Sequence, residues 1–95
     1  MAHSIKSPET DDLFRHMLKL KTVEELYDFF EDLATIQEIR ELSLRFKVAK
    51  LLHEGATYAE VEKKTRASAT TISRVSKCLN YGAGGYLKVF RDSDE

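Results

Sequence analysis

Residues that interrupt an α-helix occur at few places in this 95-residue chain: one proline, Pro8, and four glycines, Gly55, Gly82, Gly84 and Gly85. The long stretches between them predict an all-α chain. Ser7-Pro8-Glu9-Thr10-Asp11 supplies an N-cap, a proline at the first helical position and acids in the first turn, so a first helix starts here. Its apolar residues Leu13, Phe14, Met17 and Leu18 share one face. Thr22-x-x-Glu25, Thr35-x-x-Glu38 and Thr57-x-x-Glu60 each fit the reciprocal cap in which a hydroxyl and a carboxylate take up free backbone N–H groups. Helical spacing follows each of them: Val23, Leu26, Tyr27, Phe30, Leu33; then Ile36, Ile39, Leu42, Phe46, Ala49; then Tyr58 and Val61. The third of these helices runs on through Val48, Leu51 and Leu52 towards Gly55, with a break between Leu42 and Leu44 as one alternative. Ser68 opens a further helix with Ile72, Val75 and Leu79 turned inward. The glycines from Gly82 ends it, before a short element at 86–90 and an acidic tail at 92–95 that is expected to fray.

At 10.9 kDa and 42% apolar residues, the chain is expected to form one domain over 1–95. Such a domain buries roughly 60–70% of the surface its unfolded chain exposes, so its own core is modest and a second chain is a natural supplement. The single cysteine, Cys78, allows no internal disulfide. No stretch has the length or flanks of a signal peptide or membrane span, and a cytoplasmic protein without a membrane partner is expected. Charge is uneven: residues 8–41 hold ten acids and four bases, residues 57–80 two acids and five bases. This asymmetry suggests a basic working face on an acidic body. The other reading is two differently solvated faces.

Catalysis would need a nucleophile with a base, paired carboxylates or a phosphate-cradling loop, and no spacing here supplies them, so no enzymatic activity is expected. Cys78 reads as a half-buried helix residue rather than a nucleophile. His3, His16 and His53 lack the spacing of a zinc site. Gly82-x-Gly84-Gly85 lacks the Lys-Ser/Thr of a phosphate loop and reads as a turn. Neither metal nor cofactor is expected. Phe29 and Phe30 point to adjacent sectors of one helix, so one of them is expected to need cover from a second chain.

The segment 57–79 carries the functional reading. A helix of two turns, the connection Arg66-Ala67-Ser68 and a second helix make a helix-turn-helix. With Ile72, Val75 and Leu79 inward, Ala69, Thr70, Ser73, Arg74 and Lys77 fall on the outer face, and Thr71 lies among them at the leading end. Small residues there permit close backbone approach, threonine methyls suit a thymine methyl, and hydroxyls reach base edges or phosphates. Arg74 can pair with a guanine or hold a phosphate; Lys63, Lys64, Arg66 and Lys77 fit phosphate contacts that set register. These residues point to double-stranded DNA. The alternative is a helical protein–protein interaction module without specific DNA binding.

Leu42-x-x-Arg45 with Val48-Ala49-Lys50-Leu51-Leu52-x-x-Gly55, the block Ala67-Ser68-x-x-Thr71-Ile72-Ser73-Arg74, and the ending Leu79-Asn80-Tyr81-Gly82 resemble the Trp repressor superfamily, specifically its YerC/YecD subgroup. The resemblance covers roughly 12–87. It implies an all-α, interlaced homodimer with a helical dimerisation core at 8–55, a helix-turn-helix at 57–80 and a short terminal helix and tail at 81–95. It also implies a transcriptional regulator, a repressor more than an activator, whose two recognition helices enter successive major grooves of a pseudo-palindromic site. In Trp repressors the corepressor indole lies between two arginines beside a threonine of the partner chain, and Thr35, Arg45 and Arg74 stand at matching positions. Val75 and Cys78 replace the glycine and serine of that pocket, so L-tryptophan is not expected to bind. Arg66 stands where helix-turn-helix sequences usually carry glycine in a left-handed conformation.

Overall fold

The computed structural model describes residues 5–93, with Asp92 and Ser93 described as backbone only. His3, Asp94 and Glu95 lie outside the described residues. Six helices follow one another: α1 Pro8–Met17, α2 Val23–Leu33, α3 Ile36–His53, α4 Tyr58–Thr65, α5 Ala69–Tyr81 and α6 Gly85–Ser93. They fall into two compact units, Met1–Ile36 and Gln37–Glu95. No helix among the described residues is long and apolar enough to cross a membrane.

In the first unit the caps of α1 and α2 are as the sequence predicts. The Ser7 hydroxyl accepts from the Thr10 N–H at 3.0 Å, and Pro8 occupies the first turn of α1. At α2, Thr22 Oγ1 accepts from the Glu25 N–H at 3.1 Å while Glu25 Oε1 accepts from the Thr22 N–H at 3.2 Å. Neither helix contains a buried residue. Leu18 is 82% exposed and Val23 70%, and Phe14, Leu26, Tyr27 and Leu33 are exposed as well. Phe29 and Phe30 are both half-buried, their rings edge to face at 5.6 Å.

The second unit holds the core. Val48 and Ala49 of α3, Val61 of α4, Ala67 of the connection, Ile72, Val75 and Leu79 of α5 and Phe90 of α6 are all buried and form one cluster. Ile72, Val48 and Val61 are the largest side chains fully removed from water, each contributing about 1.5–3 kcal/mol by transfer. The Phe90 ring lies between Phe46, 5.3 Å away, and His53, stacked at 5.0 Å. His16 is on the surface, its Nδ1 2.8 Å from the Asp12 carbonyl.

Three expectations need correction. α3 is one helix of 18 residues without a break at 42–44. Its apolar residues are distributed around the circumference, and that weak amphipathicity, not a structural interruption, blurs the pattern; no glycine or proline lies inside it. The short terminal helix expected after the glycines is present, but it is longer than 86–90, running Gly85–Ser93 into the start of the acidic segment; the buried Phe90 ties it down. Cys78 is exposed, not half-buried.

α4 opens with a complete reciprocal cap. Thr57 Oγ1 accepts from the Glu60 N–H at 3.1 Å and Glu60 Oε1 from the Thr57 N–H at 2.8 Å. The backbone bond from Thr57 is the main cause holding the Glu60 carboxyl below its usual range, helped by the Thr57 side chain and by Lys64 and opposed weakly by desolvation. α4 ends at Arg66, φ 62° and ψ 15°, the left-handed region. The connection is tied on both sides: Thr65 Oγ1 donates to the Val61 carbonyl at 2.7 Å and accepts from the Ala67 N–H at 3.1 Å. The Ser68 hydroxyl then accepts from the Thr71 N–H at 3.1 Å and starts α5. At the far end a Cβ on Gly82 would collide with the Cys78 carbonyl, so that stop requires glycine for space.

Two predictions follow from α4. Thr57→Ala is expected to lower stability by about 1 kcal/mol in chemical denaturation. Because the Glu60 pKa is depressed on folding, its contribution is present above the ordinary glutamate range and lost as pH falls through the folded value; Glu60→Gln should flatten that acid limb. For Arg66, left-handed strain of about 1–2 kcal/mol is partly offset, in a glycine variant, by about 0.5–1 kcal/mol of extra unfolded-state entropy. Arg66→Gly should therefore raise the melting temperature, and an unchanged or lower value would show that the turn is not strained.

Candidate nucleic-acid interface

The rotation of α5 is set by its buried side. Ile72, Val75 and Leu79 recur at spacings that place them on one stripe, and each is buried. The remaining positions must then face away from the core. Ala69, Thr70, Ser73, Arg74 and Lys77 are all exposed and together line a shallow depression of about 510 Å³. Among the described residues the side chains of Arg74 and Lys77 have no hydrogen-bond or ion-pair partner within the chain. The surface combines small side chains, two hydroxyls and two uncommitted cations, and it contains no large apolar group.

Thr71 is set differently from its neighbours. It is half-buried, its hydroxyl accepts from the Ser68 hydroxyl at 3.0 Å, and it faces the other flank of the helix. There a cavity of about 280 Å³ is lined by Arg45, Thr71, Arg74, Val75, Cys78 and Tyr86. Arg45 and Arg74 thus border one space, and Arg74 borders both it and the outer depression. Thr35, the third residue of the expected effector set, is exposed and belongs to the first unit.

Tyr86 went unrecognised as a lining residue. Its signal in the sequence is the pair Tyr86 and Phe90 at i and i+4, which puts both rings on one face of α6; they stack at 6.1 Å. Burial holds the Tyr86 hydroxyl above its usual range, with Cys78 adding to the shift and Arg45 opposing it. At neutral pH the hydroxyl is therefore protonated. Cys78, on the same face, also lines an apolar groove of about 500 Å³ with Phe46, Ala83 and Val89.

The basic residues of α4 gather at its C-terminal end. Lys63 and Lys64 occupy the last turn and Arg66 the cap, all exposed. Cations there complement the partial negative charge of the helix terminus. Arg66 stands two residues before Ser68, the cap of α5, so a cation precedes the hydroxyls and small residues of its leading end. That combination can meet a phosphate backbone and the base edges next to it. Among the described residues no group of three or more His, Cys, Asp or Glu side chains could hold a metal ion.

Residues 8–94 match the sequence profile of the family described as Trp repressor protein. The uncharacterized protein YerC of Bacillus subtilis is 51% identical over 82 residues, which make up 86% of this chain and 79% of that protein. A TrpR-like protein from Eubacterium eligens, known from its crystal structure, is 50% identical with a TM-score of 0.90 over 95% of this chain and 93% of its own. A candidate Trp repressor from Staphylococcus aureus superposes with a TM-score of 0.92 at 38% identity, over 98% of this chain and 96% of its own. The match spans α1 to α6 rather than the helix-turn-helix alone, and the chain therefore belongs to the Trp repressor family of helix-turn-helix DNA-binding regulators.

Proposed function

We propose that the chain acts as an interlaced homodimer that binds double-stranded DNA at specific sites and represses transcription by occupying a promoter. The observation that supports this most is the outward face of α5, where Ala69, Thr70, Ser73, Arg74 and Lys77 are exposed around one depression. Residues 69–77 enter the major groove, Arg74 reads a guanine or grips a phosphate, and Lys63, Lys64 and Lys77 set the register on the backbone. Thr71 anchors the leading turn through Ser68 rather than reaching a base.

The dimer rests on a physical argument. α1 and α2 bury no residue within one chain, although both carry an apolar stripe. Helices of 10 and 11 residues are marginal in water without tertiary cover. Leu42 and Phe46 of α3 are exposed too. A second copy covers these surfaces, residues 8–55 forming the shared core and 57–80 the head of each single-domain subunit. Two heads related by a two-fold axis then meet half-sites about one helical turn apart. Such a protein works in the cytoplasm, without a cofactor or metal. The space between Arg45 and Arg74, with Thr35 supplied by the second copy, is its effector pocket, and Val75 in that pocket excludes L-tryptophan.

Replacing Arg74 and Lys77 together by alanine should lower affinity for genomic fragments at least ~10-fold, with the dimer unchanged in sedimentation. Retained DNA binding would remove the major-groove assignment in favour of an interaction module, and a stable monomer of the native chain at micromolar concentration would remove the dimer. Titration with L-tryptophan in a calorimeter should give no stoichiometric heat at micromolar ligand; a saturable signal there would restore it as the effector.

A further inference from the structure

Three described positions have positive φ: Gly55 at 99°, Gly84 at 88° and Arg66 at 62°. Two of them are glycine, for which this region carries no steric penalty. The third bears a long cationic side chain, the type of residue this region disfavours.

The conformation at Arg66 is imposed by its neighbours. Ala67 must reach the core, where it is buried, and Thr65 ties both the end of α4 and the Ala67 N–H. The Arg66 side chain takes no part in this. It is exposed, and among the described residues it has neither a hydrogen-bond nor an ion-pair partner in the chain. It also adds a third cation beside Lys63 and Lys64. The helix terminus favours positive charge, but Lys63 and Lys64 already provide it. Glycine would satisfy the backbone as it does at Gly55 and Gly84, so the folded chain alone gives no reason for arginine here.

An anion outside the chain does. We propose that Arg66 is a phosphate-positioning residue: a side chain held in a strained turn, at the expense of stability, because its guanidinium grips a DNA backbone phosphate beside the groove that α5 enters. This rests on the DNA-binding reading above, in which Arg66 is one of several cations suited to phosphate, and adds that its effects on folding and on binding have opposite signs. Observed strain that packing alone does not explain is a pointer to function.

The test compares the full-length chain with Arg66→Gly, Arg66→Asn and Arg66→Lys, measuring melting temperature and affinity for a mixed-sequence DNA duplex over a salt series. Glycine and asparagine both accept the left-handed region without charge. Each should melt higher than the parent, yet bind about eight-fold more weakly near 0.1 M salt for each head engaged, the factor that release of one counterion per head contributes. The slope of log affinity against log salt should become shallower by about 0.9 for each head engaged. Lysine should keep the parental slope, a rescue that a purely structural role would not give. Neutral variants with parental affinity and slope would overturn the inference while leaving the DNA reading intact. A parent that binds no duplex while remaining folded would instead remove both, so the two failures are distinguishable.

Discussion

The interface depends on one packing arrangement, the insertion of Ile72, Val75 and Leu79 among Val48, Ala49, Val61 and Phe90. A helix has only one freedom that matters for recognition once its place is given, its rotation about its own axis, and burial of this stripe removes it. Turning α5 by one residue, about 100°, would drive Ser73 or Arg74 into a cluster with no polar partner for them. Burying an unpaired cation costs several kcal/mol, more than any single contact in the cluster returns. The exposed face is therefore specified by what cannot be buried as much as by what can.

Much of this was legible in the chain because local and tertiary signals agree. Ser7, Thr22, Thr57 and Ser68 cap helices where their spacing predicts, and the stripe of α5 is buried as its periodicity requires. α3 was harder, since apolar residues on several sides erase the single-face pattern that marks a helix at the surface. α6 was understated because its burial rests on Phe90 with the partly buried Tyr86, a tertiary fact that a pattern of five residues does not carry. Thr71 and Tyr86 illustrate the limit for the site. Position on a helix says which sector a side chain occupies, but the cavity beside Arg45 exists only once α3, α5 and α6 stand together.

The two units show different relations to water. Residues from Gln37 onward assemble a core with a buried member from each of α3 to α6. In α1 and α2 the helices are capped but contain no fully buried residue. Caps decide where such helices start and are worth about 1 kcal/mol each, but they do not replace an apolar partner. A chain of this size has few ways to find one within itself. The charge is divided as well, with an acidic surplus over 8–41 and a basic surplus over 57–80, so the two segments would respond oppositely to a polyanion.

Gly82 turns the end of α5 into a fixed length. At about 1.5 Å per residue, the 13 residues from Ala69 to Tyr81 span about 20 Å, whereas a major groove is about 12 Å wide. A helix crossing that trench can offer it only its first two turns or so, and the remainder must overhang. The overhanging portion carries Leu79, which belongs to the hydrophobic cluster, so the helix has a handle and a blade. The collision that a Cβ at Gly82 would make with the Cys78 carbonyl therefore fixes where the handle stops, while the length of the blade is set from the other end, by the Ser68 cap.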